Sequence, residues 1–482
     1  MAAIAGIARY GRRARTGVGT LTVVTNDVRT PDLDPARLSA LKARVAELLP
    51  ALRADLEALT RIPSVSLAAF DQAHVEASAK SVAELLRAEG LEVEIVREGG
   101  QPAVIGHVDG PQGAPTVLLY AHHDVQPPGA ESDWDSPPFE PTERDGRLYA
   151  RGIADDKAGV MAHVAALRAH AGGLPVGVTV FVEGEEEIGS DSLEAILECH
   201  GEKLRADAIV LADSANWAVG EPALTTTLRG MVRVVLTVRA LDHGVHSGLF
   251  GGAVPDAVTA LIRTIATLHD ADGNVAVAGL KSGIASDLPY PEERLRKESG
   301  LLEGVELIGS GSILSRLWNK PSITTIGIDA PSVATSSNTL APQAAAKISM
   351  RIAPDEDPQV AYQLLARHLG ANAPWGVKVH IELEDAGSGF SADANGPIYE
   401  QARAAFTDAW GVAPVDVGIG GSIPFVAAFA QRFPEAGILV TGVEEPDTRA
   451  HGANESLHLG EFARVCLAEA VLLERLGLLH IS

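Results

Sequence analysis

Five short segments of this 482-residue chain collect histidines and carboxylates at the points where apolar runs end. The first is Val117-Leu-Leu-Tyr-Ala-His-His-Asp-Val-Gln-Pro127, a buried-strand pattern that runs into His122, His123 and Asp124. On a strand, side chains two apart share a face, so His122 and Asp124 are expected to point one way and His123 the other. A carboxylate beside an imidazole fixes its tautomer and raises its basicity, the usual support of a metal-bound histidine. A histidine packed into the core at a strand end would explain the same stretch. In Arg151-Gly-Ile-Ala-Asp-Asp-Lys157, which precedes a helical pattern, Asp155 and Asp156 could ligate a metal or cap the helix. Phe181-Val-Glu-Gly-Glu-Glu-Glu-Ile-Gly-Ser190 sets Glu185, Glu186 and Glu187 in a row behind a strand, a costly arrangement unless a cation is present or the run is solvated. Asp213 closes Val210-Leu-Ala-Asp213, and His451 follows the last strand in Arg449-Ala-His451.

Acids and a histidine at several strand ends form the donor set of a two-metal site, and carboxylate oxygen with imidazole nitrogen suits zinc, manganese or cobalt. Two such ions about 3.5 to 4 Å apart polarise a carbonyl and bridge a hydroxide near neutral pH. A further carboxylate that is not a ligand can take the water's proton and pass it to a leaving amine.

The elements that must position these residues alternate. Helical spacing predicts helices over 34–58, 77–89, 157–170 and 192–199, and apolar runs predict strands over 91–96, 103–108, 116–121, 178–182 and 208–211. Strands alternating with helices argue for an α/β fold, a mixed and largely parallel sheet flanked by helices on both faces. After Thr225 the pattern changes to strand 231–238, helix 255–269, strand 346–352, helix 358–369 and strand 377–383, which fits a compact α+β insertion. Residues 273–321 read as a long irregular stretch whose role the pattern does not give. A strand over 438–442 and a closing helix over 461–476 return the chain to the first fold. The expected organisation is a leader over 1–30, a catalytic domain over 31–224 and 391–482, and an inserted lid and dimerisation domain over 225–390.

The composition removes several classes of function. With 46% apolar residues the chain can bury large cores, and 39 basic against 63 acidic residues give a formal charge of −24, which disfavours nucleic acid and anionic membrane surfaces as partners. No run of about 18 apolar residues suggests a membrane span. Cys199 and Cys466 sit in helical patterns with no zinc-knuckle or disulfide spacing, which favours a reducing, cytoplasmic compartment. The first 26 residues hold Arg9, Arg12, Arg13 and Arg15 and no acid, yet no signal-length apolar run follows; a disordered leader or a start set too far upstream is expected. Gly418-Ile-Gly-Gly421 is too short to be a dinucleotide fingerprint.

The order of His122-His-Asp124, Asp155-Asp156, Glu186-Glu187, Asp213 and His451 resembles the co-catalytic metallopeptidase family of carnosinases, cytosolic nonspecific dipeptidases, glutamate carboxypeptidases and aminoacylases, over about 62–458. The dipeptidase subgroup is the one resembled, through His122-x-Asp-Val-Gln-Pro127, Trp134-Asp-Ser-Pro-Pro-Phe139, Leu228-Arg-Gly230, His246-Ser-Gly248 and Gly420-Gly-Ser-Ile-Pro424. The resemblance implies that Asp155 bridges two metals, His122 and Asp213 completing one site and Glu187 and His451 the other. It also implies that Asp124 orients His122, that Glu186 is the general base, and that the Asp155–Asp156 peptide is cis. Family spacing around Glu183-Gly184 and Gly189-Ser190 leaves Glu185 a bystander.

For the substrate, the resemblance selects His246 over His243, and implies that it reaches across a homodimer interface to steady a developing oxyanion. It assigns the substrate's free carboxylate to Arg351, with Thr339 and Ser422 nearby and Asn338 a weaker candidate; an arginine on a surface strand is the alternative for Arg351. One departure is visible: no histidine precedes the segment Glu384-Asp-Ala-Gly-Ser-Gly389, where carnosinase-like relatives carry one, which puts a preference for carnosine in doubt. The expected function is that of a dinuclear metallodipeptidase working through a metal-bridged hydroxide. An N-acyl-amino-acid deacylase or carbamoyl-amino-acid hydrolase would use the same site, and a non-catalytic dimeric binding protein could use the same fold.

Overall fold

The computed structural model describes residues 32–479 apart from Ser422; the expected leader over 1–30 lies outside the described residues. The helix Pro35–Thr60 begins where the Asp34 carboxylate accepts from the Ala36 amide at 3.0 Å and proline occupies the first turn. Its Leu41, Val45, Leu52, Leu56 and Leu59 recur every three to four residues, so one stripe is buried against the helices Lys157–Ala169 and Leu459–Leu476.

These three helices cover one face of a nine-stranded sheet. Its order in space is Glu92–Val96, Ala103–Val108, Gly177–Glu183, Thr116–His122, Ala208–Leu211, Gly437–Val440, Ala223–Leu228 and Phe390–Ser391, and Val415–Ile419 also pairs with Ala223–Leu228. The four central strands are parallel and their outer neighbours antiparallel. Both faces are covered, which is why the central strands read as unbroken apolar runs. Val117, Leu119, Ala121, Val178, Val180 and Val182 face the three helices. Leu118, Tyr120, Phe181, Ile209 and Leu211 face Phe425 and Phe429 of the helix Pro424–Arg432 and Leu193 and Ile196 of the helix Leu193–Leu204.

A second sheet, entirely antiparallel, runs Ser322–Asp329, Gln343–Ile352, Gly230–Arg239, Lys378–Gly387. Val232, Val234, Leu236, Val238, Ile348 and Met350 turn toward the helices Ala257–Ala266 and Pro358–Asn372, and the opposite face is polar. The sequence pattern predicts three strands here; the fourth, Ser322–Asp329, is an edge strand whose Ile326 and Ile328 are exposed, so it never shows the one-sided burial that periodicity detects. Nor is 273–321 irregular throughout, since it contains the helices Glu292–Ser299 and Ile313–Trp318. From the first of these, Arg294 lies over the rings of Trp217 and Tyr290.

The chain passes between the two sheets twice, side by side. A Cβ on Gly230 would stand 2.7 Å from the Gly387 carbonyl oxygen, and one on Gly389 2.7 Å from that of Leu228, so glycine is required for the crossings to lie this close. A small antiparallel sheet of Thr142–Arg144, Arg147–Tyr149 and Ser456–His458 joins the segments before Asp155 and after His451.

Candidate metal centre

The residues singled out from the sequence arrive from four different parts of the large sheet's edge. His122 is the last residue of its strand, Asp213 lies two residues beyond Ala208–Leu211, and Glu187 follows Gly177–Glu183 within a single 3-10 turn, Glu186–Ile188. Asp155 sits just before the helix Lys157–Ala169. Parallel strands with their carboxyl ends on one side bring His122, Glu187 and Asp213 together, as expected of an open α/β sheet, and the small three-stranded sheet brings Asp155 to them.

His122 Nε2 lies 3.1 Å from Asp155 Oδ1 and 4.0 Å from Asp213 Oδ2. His451 Nε2 lies 3.0 Å from Asp155 Oδ2 and 3.2 Å from Glu187 Oε2. Ligand atoms of His122, Asp155 and Asp213 all fall within 4.8 Å of one another, as do those of Asp155, Glu187 and His451. Asp155 belongs to both groups, one oxygen toward each. The Asp155–Asp156 peptide is cis.

The electrostatics of this cluster fit cations. Burial, reinforced by the Asp155 charge, lifts the Asp213 carboxyl to about 6 and that of Glu187 to about 7. Burial and then Asp213 push Glu186 up as well. Asp155 behaves oppositely: burial works against its charge, but His122 and then His451 outweigh it and hold its carboxyl low. Carboxylates crowded until they resist ionisation, among imidazoles at liganding distance, make a donor set that two divalent ions would satisfy.

Asp124 does more than the sequence suggests. Its Oδ1 is 3.4 Å from His122 Nδ1, which also meets the Asp124 carbonyl at 3.1 Å. The same carboxylate accepts from the backbone amides of Glu186 (3.2 Å) and Glu187 (3.1 Å) and from Ser66 Oγ (2.7 Å). One buried group therefore sets both the imidazole of His122 and the turn that carries Glu186 and Glu187. Glu185 turns away, its oxygens accepting from the amides of Gln101 and Ser192. His123 also points elsewhere, its Nε2 2.9 Å from the Pro102 carbonyl.

Three residues have supporting roles that the sequence reading did not give. Gln126 holds Glu187, donating from Nε2 to Oε2 at 2.7 Å and from its amide to Oε1 at 3.1 Å. Glu455 accepts from Arg151 Nη1 and from the amides of Gly152, Ala154 and Asp155, which fixes the Asp155 turn. Asp156 is no side-chain cap for its helix; its Oδ2 accepts from the His122 amide at 3.2 Å. The first lies two residues after Asp124 in the motif His122-x-Asp-Val-Gln-Pro127, which marks the subgroup without giving the glutamine a role.

The substrate candidates stand apart from the cluster. His246 and Thr339 are strand partners in a two-residue ladder, both exposed, and His246 Nδ1 accepts from the Gly248 amide at 2.9 Å. Among the described residues, no hydrogen bond or ion pair joins His246 to the metal cluster. His243 is exposed and pairs with its neighbour Asp242, and Asn338 contributes its carbonyl to the Ser247 amide at 2.9 Å. Arg351 is half-buried on the second sheet, with Ser322 and Met231 as its strand partners, and Ser422 lies outside the described residues. Among the described residues, no helix is long and apolar enough to cross a membrane.

Comparison with known proteins agrees with this geometry. The profile of peptidase family M20/M25/M40 matches residues 118–475. A cysteinylglycine-S-conjugate dipeptidase of Corynebacterium striatum is 38% identical over 83% of this chain and 90% of its own. A Beta-Ala-His dipeptidase of Rattus norvegicus is 28% identical over 83% of this chain and 87% of its own. Among solved structures, the dipeptidase Dug1p of Saccharomyces cerevisiae superimposes with a TM-score of 0.77 at 24% identity, over 91% of this chain and 98% of that one, a likeness of fold.

Proposed function

The chain belongs to peptidase family M20/M25/M40, and from that premise we propose that it is a metallodipeptidase, hydrolysing the amide bond of small peptides with a free C-terminus. The observation that carries this reading is the sharing of Asp155 between two donor groups, His122 with Asp213 and Glu187 with His451. Two divalent ions there, zinc before manganese or cobalt, would supply Lewis acidity, polarising the scissile carbonyl and making water acidic enough to react near neutral pH. The chain's own residues do the rest. Glu186, beside the cluster but in neither donor group, takes the proton of the attacking water and returns it to the leaving amine. Asp124 keeps His122 and the Glu186 turn in register, and Arg351 receives the substrate's carboxylate, with Thr339 and Ser422 at the same end.

In this reading residues 31–224 and 391–482 form the catalytic domain and 225–390 a lid through which two copies associate. The exposed apolar residues Leu249 (76%) and Ile262 (55%), three and sixteen residues after His246, support such an interface. Across it His246 would serve the neighbouring copy's site and steady the oxyanion. The two unpaired cysteines support a cytoplasmic location. Replacing Glu186 by Gln tests the reading: dipeptide turnover should fall about 10²- to 10⁴-fold with metal content unchanged. Near-normal turnover in that variant would remove Glu186 from its role. Assays on a dipeptide and an N-acetyl amino acid in parallel should favour the dipeptide.

A further inference from the structure

Arg229 stands at the first crossing between the two sheets and is only 8% exposed. Its Nε donates to the Gly420 carbonyl at 3.1 Å. Nη1 donates to Ser322 Oγ at 3.0 Å and to the carbonyls of Lys320 at 3.1 Å and Arg316 at 3.4 Å. All of these acceptors are neutral, and no carboxylate among the described residues pairs with this guanidinium. Nη2 donates to none of the described residues; it lies against Gly420, where a Cβ would stand 2.7 Å away. Ser322, which Arg229 touches, is the strand partner of Arg351, and Met231, two residues after Arg229, is its partner on the other side. Burial and then the Arg351 charge lower the Arg229 pKa to about 10.

A buried cation with neutral partners and a second cation nearby is held at a large desolvation cost, unless an anion joins it. The fold has reasons to tie Gly420, Lys320 and Ser322 together, but neutral donors would do that without the charge. Nη2 is the remaining nitrogen, without an acceptor among the described residues and beside the glycine-rich loop that precedes Ser422. The anion that the proposed reaction brings to this end of the site is the carboxylate of the substrate.

We propose that Arg229 is a second carboxylate-binding residue, so that the substrate's free C-terminus is clasped between Arg229, on the crossing, and Arg351, on the lid strand. The proposal rests on the dipeptidase reading for its ligand, and its test is chosen to be read without turnover. An uncleavable dipeptide isostere with a reduced amide bond, and the C-terminal amide of the same isostere, are titrated calorimetrically into the metal-loaded wild type, Arg229→Gln, Arg229→Lys, Arg351→Ala and the double variant Arg229→Gln/Arg351→Ala.

Arg229→Gln should weaken the carboxylate ligand roughly 10- to 100-fold and the amide ligand less than about twofold. Arg229→Lys, which keeps the charge and guards against a folding failure in the first variant, should fall between. In the double variant Arg229→Gln/Arg351→Ala the loss should be smaller than the product of the single losses, because both residues grip one group. Equal weakening of both ligands in both variants would make Arg229 a structural tie only and overturn the proposal, as would wild-type affinity in both or an absence of isostere binding to the wild type. Inorganic phosphate binding that Arg229→Gln abolishes, with the isostere unaffected, would assign the position to a free anion and overturn it too. Failure of the wild type to hydrolyse any dipeptide, with the isostere result as expected, would instead refute the assigned reaction and leave the carboxylate clasp standing.

Discussion

Asp124→Asn separates the geometry of this site from the mere presence of its ligands. The substitution keeps size and shape and removes one charge. In the structure both Asp124 oxygens accept from amide donors, Oδ1 from Glu186 and Oδ2 from Glu187, while Oδ2 also takes the Ser66 hydroxyl. Oδ1 further faces His122 Nδ1 at 3.4 Å. An asparagine can keep its oxygen on one of these sides only; the other side must then present an N–H to a backbone N–H. One charge-assisted hydrogen bond is lost and a buried donor is left unsatisfied, about 1.5 to 3 kcal/mol. Through the turn this strain falls on Glu186 and Glu187, so the expected loss is about 10- to 100-fold in metal affinity or kcat/KM. The assay is dipeptide hydrolysis across a titration of added zinc, with bound metal measured by elemental analysis and folding by circular dichroism. Activity and metal affinity within twofold of wild type, in a folded variant, would refute the claim that Asp124 organises both halves of the site.

If His246 serves the opposite copy, mixing inactive His246→Ala with inactive Glu186→Gln should restore a fraction of the activity through heterodimers that hold one intact site; no recovery, with subunit exchange demonstrated by a tagged copy, would count against a shared site. His163, buried between Glu469 Oε1 (2.7 Å) and the Tyr120 carbonyl (2.8 Å), has a different readout, stability. Burial opposes its charge, but Glu469 and the Tyr120 carbonyl outweigh burial and raise its pKa above the ordinary 6.5. A raised folded-state pKa gives stability that is complete below about pH 6.5 and is lost as the pH climbs through the folded value. Urea titrations should therefore show His163→Gln about 3 to 5 kcal/mol less stable than wild type near pH 6, with the gap narrowing toward pH 9; a gap that widens with pH contradicts the assignment.

Much of this site is legible in the sequence because parallel strands end together. Once Val117–Ala121, Val178–Val182 and Ala208–Leu211 are read as buried strands, the acids and histidines that follow them must share one rim. Asp155 and His451 could be joined to that rim only through the family resemblance, since neither ends a central strand and a small three-stranded sheet does the positioning. Gln126, Glu455 and the second role of Asp124 act through backbone amides, and hydrogen bonds of that kind leave no periodicity to read. The edge strand Ser322–Asp329 was hidden for a related reason. With Ile326 and Ile328 turned outward and Gly327 at a register shift, its pattern carries no buried face. Arg229 sits in a motif that the sequence offers only as a family mark, and its isolation from the carboxylates of the described residues is a property of three dimensions.

The central claim is that Asp155 joins two cation sites, and anomalous diffraction from crystals grown with zinc tests it most directly. The account predicts two peaks about 3.5 to 4 Å apart, one beside His122 and Asp213, the other beside Glu187 and His451, with an Asp155 oxygen at each. A single peak, or peaks that Asp155 does not touch, would contradict it.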